Sequence, residues 1–442
     1  VPERIADLRP DELDRIVSHP VQRQIYRAVS ELITLLRTCE QAADYNQFQR
    51  ALFQEVLHVE RKRAAISRVR KRLRRGHTLP ADAPPLPDGS HGDGDEAWRI
   101  EEIVHERAWR QLRSVGDALA WRVSGFSRRY IMAVSRNAAA GPMSGKAGLP
   151  YELGAVQDLW EKSQHFALLH DLTNCLRIGD VSEFTHDGRT LLREIKRSGR
   201  RDSKQLARMA AAVAAVNEGA PLPGTEERLV DVDIPYATHL SHLRDAVALA
   251  RERGAVGMKV PGARALTAVH LPAMAVRDDR SDEGWITVMQ EARRKALRRA
   301  NIDRAQHHLT MFTADWAARS PTAVPYAIYP LPPEDCAGLI CDLVVAQIIM
   351  APDELFAIAA RHGMLGEVLL PHASGQLAPS QPLFRFRRGD RAIVLHTGVV
   401  AQLLGELAAL EPFVGAISHV LDRPTPPDSP VLAFRNEQDV WR

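Results

Sequence analysis

The residues whose types and spacing could do chemistry sit in two short apolar segments, Ile178-Gly179-Asp180-Val181 and Leu192-Arg193-Glu194-Ile195-Lys196. If both are strands, Glu194 and Lys196 are two residues apart and project from one side, while Ile195 points opposite into a core. A tight Asp187-Gly188 turn between them would let Asp180 approach Glu194 closely enough for both carboxylates to hold one divalent ion. Adjacent, partly buried carboxylates repel each other, and a hard cation taking oxygen ligands, Mg²⁺ or Mn²⁺, relieves that repulsion. Such an ion can polarise a phosphoryl oxygen and acidify a bound water. Lys196 could then orient that water or offset charge on the phosphate. Hydrolysis of a phosphodiester is the reaction this set suits.

The elements that must position these residues are legible as a pattern. A helix is expected over 149–162, strands over 165–170, 177–184 and 190–196, an alanine-rich helix over 202–218, and a further strand over 229–234. The order is αβββαβ.

At this point the residues resemble the PD-(D/E)XK nuclease superfamily, the restriction-endonuclease-like fold, over roughly residues 149–235. That family carries Asp on the second strand and (Asp/Glu)-x-Lys on the third, positions matched here by Asp180 and Glu194-Ile195-Lys196. The resemblance implies that Asp180 and Glu194 are metal ligands, with the backbone carbonyl of Ile195 as a third. It implies that Lys196 is catalytic, Glu152 an assisting acid on the preceding helix, and Gln205 a polar residue at the start of the following one. The proline of the family name is absent, because Gly179 precedes Asp180.

An acid-x-Lys triplet alone is weak evidence, since Glu60-Arg61-Lys62 and Asp202-Ser203-Lys204 also occur. Only the Glu194 triplet lies in an apolar strand that follows another strand bearing an aspartate. The competing reading is a surface hairpin whose Glu and Lys form ordinary cross-strand pairs. Arg193, Arg197, Arg200, Arg201 and Lys204 surround the proposed site and could draw in a nucleic-acid backbone. Asp171 is the fallback acid should Glu152 point away. His165, His170 and His186 are irregularly spaced and read as structural. The stretch Gly141 to Gly148 tempts a phosphate-loop reading, but it has one residue too few between its glycines and Ala147 where Ser or Thr should bind magnesium.

Composition sets the wider limits. The chain has 442 residues, enough for several domains, with 45% hydrophobic and 26% charged residues, which excludes disorder of the whole chain. The net charge of +3 is too small to mark the entire protein as a polyanion binder, so any nucleic-acid footprint must be local. Eight lysines stand against fifty arginines, so each lysine is informative. Nine cations fall between Arg61 and Arg75, a face that could grip phosphates or a solvated helix end. Cys39, Cys175, Cys336 and Cys341 have no zinc-site spacing and read as reduced thiols; with no membrane segment or export signal visible, a cytoplasmic location is expected.

The expected fold class is mixed, α+β and α/β, an αβββαβ core between an N-terminal helical region and a C-terminal α/β region. The expected divisions are a helical hairpin (1–75), a flexible linker (76–97), a helical connector (98–148), the nuclease-like domain (149–275), and a C-terminal mixed domain of unknown role (276–442). Within the last, helices are expected over 333–362 and 398–410, with a hairpin over 384–396.

The function these readings imply is a Mg²⁺- or Mn²⁺-dependent deoxyribonuclease, an endonuclease, with DNA ranked above RNA because the family most often acts on DNA. Similar architectures in bacteria are associated with phage defence or restriction. A protein partner or a second copy could engage the terminal regions. The alternative is a non-catalytic nucleic-acid-binding or assembly module on a nuclease-like fold; a third is a mainly helical scaffold in which the αβββαβ pattern is mistaken.

Overall fold

The computed structural model describes residues 10–79, 83, 86, 95–135, 141–196, 203–275, 282–305, 307–313, 323–369, 381–423 and 430–441. The fold is mixed α+β. Where two N-terminal helices are expected, three form: α1 (Pro10–Val17), α2 (Pro20–Thr38) and α3 (Ala42–Leu73). Pro20 starts α2, with the His19 imidazole accepting from Val21 N at 3.2 Å. Asp44 Oδ2 accepts the Gln41 N–H at 2.9 Å and so caps α3. Most of the expected linker lies outside the described residues, but Leu86 is buried against Ile66, Val69 and Trp98.

Helix α4 (Asp95–Val123) is buried nearly all round from Val115 to Trp121 because α2 and α3 cover it. After α5 (Arg128–Val134) come α6 (Leu149–Ser163), β1 (Phe166–Leu169), a 3-10 turn (His170–Leu172), β2 (Val181–Phe184), β3 (Thr190–Arg193), α7 (Ser203–Glu218) and β4 (Arg228–Pro235). This is the expected αβββαβ order. The first three strands form an antiparallel meander in the order β1-β2-β3. The open edge of β1 is closed by one side chain of α3. Gln49 donates to Ala167 O and accepts from Leu169 N, both at 2.9 Å. β4 does not join this sheet; it pairs in parallel with a strand near the C-terminus, β12 (Pro430–Arg435).

The remaining chain builds a second sheet. After α8 (Leu240–Arg253) come β5 (Ala255–Val260), β6 (Arg264–His270), α9 (Leu271–Ala275), α10 (Asp282–Ala300), β7 (Leu309–Phe312), α11 (Pro333–Ile340) and β8 (Val344–Met350). Strands β5-β6-β8-β7 pair antiparallel in that order, with α8 and α10 packed on the sheet. The single helix expected over 333–362 is thus corrected to helix, strand and helix, the last being α12 (Pro352–Arg361). Val344 to Met350 is a short buried apolar run rich in β-branched residues. In such a run periodicity does not separate helix from strand, and the free edges of β6 and β7 decide it.

A small sheet follows, β11-β10-β9 in order, from β9 (Leu365–Val368), β10 (Pro382–Arg388) and β11 (Arg391–His396), the last two being the expected hairpin. The helix expected over 398–410 is also corrected. Only a π turn, Ala401–Gly405, forms there, Leu407 takes a left-handed φ of 48°, and the helix proper is α13 (Leu410–Leu421). The described chain ends in α14 (Glu437–Trp441). One contiguous apolar cluster runs from Ile25 in α2 to Trp441 in α14. Buried Arg128 on α5 clamps Glu406 at 2.8 and 2.9 Å and Glu437 at 2.6 Å, which ties the helical region to the C-terminus. Among the described residues no helix is long and apolar enough to cross a membrane.

Candidate functional site

Two buried carboxylates on the long helices hold the loops that frame the site. Glu60 on α3 accepts the indole N–H of Trp109 at 2.7 Å and the backbone N–H groups of Met143 and Ser144 at 2.9 and 2.8 Å. That fixes the loop carrying Lys146. Asp117 on α4 accepts from Asn174 N at 2.6 Å, Asn174 Nδ2 at 2.9 Å and Cys175 N at 2.8 Å, fixing the segment before β2. Burial nevertheless pushes the Asp117 carboxyl upward, against the pull of these donors.

Asp180 sits one residue before β2, and Glu194 one residue after β3. The register ends at Val181↔Arg193, and Asp180 N donates to Arg193 O at 2.9 Å, one residue out of step, so Asp180 sits at a bulge against Arg193. Both acids lie just beyond the assigned strands. Ile195 N donates to Asp180 Oδ2 at 2.7 Å, while the Ile195 side chain packs half-buried against the core. Gly179 adopts φ +83°, and a Cβ there would lie 3.2 Å from Arg193 O. Proline, locked near −65°, could not occupy this position.

The Glu194 side chain is only 5% exposed, with the Lys196 ammonium 2.9 Å from its Oε1. Both Glu194 oxygens are shut off from solvent without a hydrogen bond, and so is Glu152 Oε2. Glu152 is the one buried residue of α6, and its Oε1 lies 2.7 Å from Lys146 Nζ, which also donates to Asp171 Oδ2 at 2.8 Å. Burial raises the Glu152 carboxyl above its ordinary range; Lys146 opposes this, and the nearby Asp171 and Asp180 charges reinforce it. Burial pulls the Lys146 ammonium down, but its bonds to Asp171 and Glu152 outweigh that and leave it raised. Glu152 and Asp171 thus flank Lys146, with the Asp180 charge close enough to act on Glu152.

Not every expected residue turns toward this place. Arg193 is bound to Glu183 of β2, Nε to Oε2 at 2.6 Å, and Glu183 also takes His165 Nδ1 at 2.6 Å. Residue 193 alternates with 194, so its guanidinium serves the opposite face of the hairpin. Gln205 is half-buried and Lys204 exposed at the start of α7. Arg197, Arg200 and Arg201 lie outside the described residues. His170 is structural, as its spacing suggests. It is buried, with Nε2 2.5 Å from Ser182 Oγ and Nδ1 3.1 Å from Gly179 O, and burial drives it down to about 3. The four cysteines are buried and unpaired with one another.

The residue that sequence reasoning passed over is Lys146. Its loop lacks a phosphate-loop pattern, yet lysine is scarce in this chain, and that scarcity was the available signal.

Among the described residues no group of three or more His, Cys, Asp or Glu side chains is drawn together tightly enough to hold a metal ion. The carboxylates that could be offered to a hard divalent cation are fewer, Asp180 and Glu194, the first bound to the N–H of the residue after the second. The fit rests on the orphaned oxygens. A buried acceptor without a hydrogen bond costs about 1–3 kcal/mol; the Lys196 ammonium beside Glu194 offsets part of this, and an oxygen-seeking cation would offset the rest. No family model, no curated protein and no solved structure matches the chain.

Proposed function

We propose that the protein is a divalent-metal-dependent nuclease that hydrolyses phosphodiester bonds of DNA, with a PD-(D/E)XK-like site. The observation that carries this reading is the buried Glu194 carboxylate, its oxygens without hydrogen bonds, with the Lys196 ammonium beside it and Asp180 bound to the backbone N–H of the next residue, Ile195. Asp180 and Glu194 would hold the ion. When bound, Mg²⁺ or Mn²⁺ supplies phosphoryl polarisation and a water acidic enough to attack near neutral pH. Lys196, with 43% of its side chain exposed, would orient that water or offset charge on the phosphate. Ile195 N–H holds Asp180 in orientation. Lys146 keeps Glu152 and Asp171 from adding unbalanced negative charge beside a phosphate. Restriction or phage defence is a setting in which such an activity would serve.

A second reading, a nuclease-like module that binds nucleic acid without cutting it, is favoured by the same two lysines. Lys146 and Lys196 offset the acids without any metal. The deciding experiment incubates wild-type, Lys196→Ala and Asp180→Asn proteins with supercoiled plasmid, linear duplex, single-stranded DNA and RNA, in EDTA, Mg²⁺ or Mn²⁺. Metal-dependent cutting lost in both variants is the expected result. Binding without cutting by wild type would select the module, and equal cutting by all three proteins would place the chemistry elsewhere.

A further inference from the structure

The last turns of α3 form one wall of a groove of about 200 Å³ lined by Ser67, Arg70, Lys71, Arg74, Arg75 and Glu102. Its floor is neutralised. Arg70, buried, donates to Asp95 Oδ1 at 3.0 Å and to Glu102, which binds α3 to α4. Its rim is not. Lys71 and Arg75 are exposed and meet no carboxylate among the described residues, and Arg74 stays 59% exposed with only a long 3.6 Å approach to Asp95. Along the helix Arg61, Arg68 and Arg72 recur at seven and four residues, an exposed stripe that leads to Arg75 just past the helix end.

The helix dipole accounts for the cations of the final turn, Arg70, Lys71 and Arg72, but its influence ends within that turn. It does not reach Arg61 and Lys62. Like charges at i,i+4, as in Arg68/Arg72, destabilise an isolated helix, so this face costs the fold something. A polyanion laid along it reverses the sign of that cost.

We propose that this groove and stripe are a second DNA contact that grips the phosphate backbone away from the scissile bond. The identity of the polyanion rests on the nuclease reading; the groove itself does not. The same helix joins the two places. Glu60 holds the loop that carries Lys146, and Lys71 lies eleven residues further along α3, ~16 Å at 1.5 Å per residue. On a duplex that is about five base pairs, given 3.4 Å per phosphate along each strand. The protein therefore needs flanking duplex on one side of the cut, and substrates trimmed there lose affinity.

The test measures duplex binding by fluorescence anisotropy in EDTA over a salt series. It compares wild type, Lys71→Ala/Arg74→Ala/Arg75→Ala, and a control, Arg293→Ala/Arg294→Ala/Lys295→Ala, which removes as many exposed cations from α10. All six side chains are exposed, so the fold is expected to survive, and circular dichroism checks it. The slope of log affinity against log salt should fall by about 2–3 in the groove variant and by less than about 1 in the control. Equal falls in both variants, no fall in the groove variant, or no duplex binding by wild type would overturn the proposal. So would loss of sedimentation with phosphatidylserine-containing vesicles while duplex binding is kept. Plasmid cutting in Mg²⁺ separates the two readings. A lowered slope without wild-type cutting removes the nuclease and keeps the groove, whereas cutting with an unchanged slope removes the groove and keeps the nuclease.

Discussion

The β1-β2-β3 meander and the β5-β6-β8-β7 sheet treat buried polar groups in opposite ways. In the second sheet β6 is buried along almost its whole length, and its buried charge, Arg264, is tied to backbone carbonyls. Nε donates to Pro261 O at 2.8 Å, and Nη1 to Leu403 O at 2.9 Å and Ala408 O at 2.8 Å. Only its Nη2 goes without a partner. In the meander the strands are four residues long, Asp180 and Glu194 lie just beyond their ends, and both Glu194 oxygens are buried without hydrogen bonds, although Glu183 within β2 is fully paired. The long strands spend their polar groups on holding the chain together. The short ones leave Glu194 open, which is how a site, rather than a scaffold, is built.

The sharpest way to break that comparison is to remove one group from each region and read both activity and stability. Glu194→Ala should lower metal-dependent cutting by at least about a hundred-fold. It should leave stability in EDTA unchanged or raised, because an unsatisfied buried carboxylate is deleted. Mg²⁺ or Mn²⁺ should raise the melting temperature of wild type and not of this variant; an equal rise in both would detach the metal from Glu194.

His170 probes the meander's stability through pH. Its folded value of about 3 lies below the ordinary 6.5, so between those limits the unfolded chain binds more protons. Stability is full above about pH 6.5 and falls as pH drops toward 3, by on the order of 4 kcal/mol. Urea unfolding across that window should show the slope, and His170→Gln should flatten it.

Arg264→Met should cost about 3 kcal/mol, since it leaves three buried carbonyls without a donor, while cutting per folded molecule is retained. A stability rise here would mean the second sheet, too, carries its charge at a cost.

Two glycines give the finest contrast. A Cβ on Gly116 of α4 would lie 1.9 Å from Leu172 O, and one on Gly257 of β5 1.8 Å from Ala292 O. Each alanine variant should destabilise by ~1–3 kcal/mol in thermal unfolding. Only Gly116→Ala, which pushes on the turn carrying Asp171, should also lower cutting per folded molecule.

The order of elements from α6 to β4 was legible because each is short, differently patterned and bounded by glycine, proline or Asp-Gly turns. Asp180 and Glu194-Ile195-Lys196 were legible as neighbours for the same reason, since the hairpin brings their segments together, Ile195 N bonding Asp180 Oδ2, but the bulge at Asp180 was not legible. Alternation also carried the opposite message about Arg193, whose side chain had to face away from Glu194; what the sequence did not reveal was that Glu183 waits for it there. Lys146 was invisible as a partner because Glu152 and Asp171 reach it only after Glu60 of α3 fixes its loop.

The sequence by itself determined the local elements of the meander and the residues at its hairpin, because strand periodicity and turn chemistry act over a few neighbours. Tertiary structure alone decided that Val344 to Met350 is a strand, that β4 pairs with β12 some two hundred residues away, and which carboxylate oxygens are buried without hydrogen bonds. Those outcomes depend on free sheet edges and on water being excluded by distant helices. Neither is a property of any short stretch of chain.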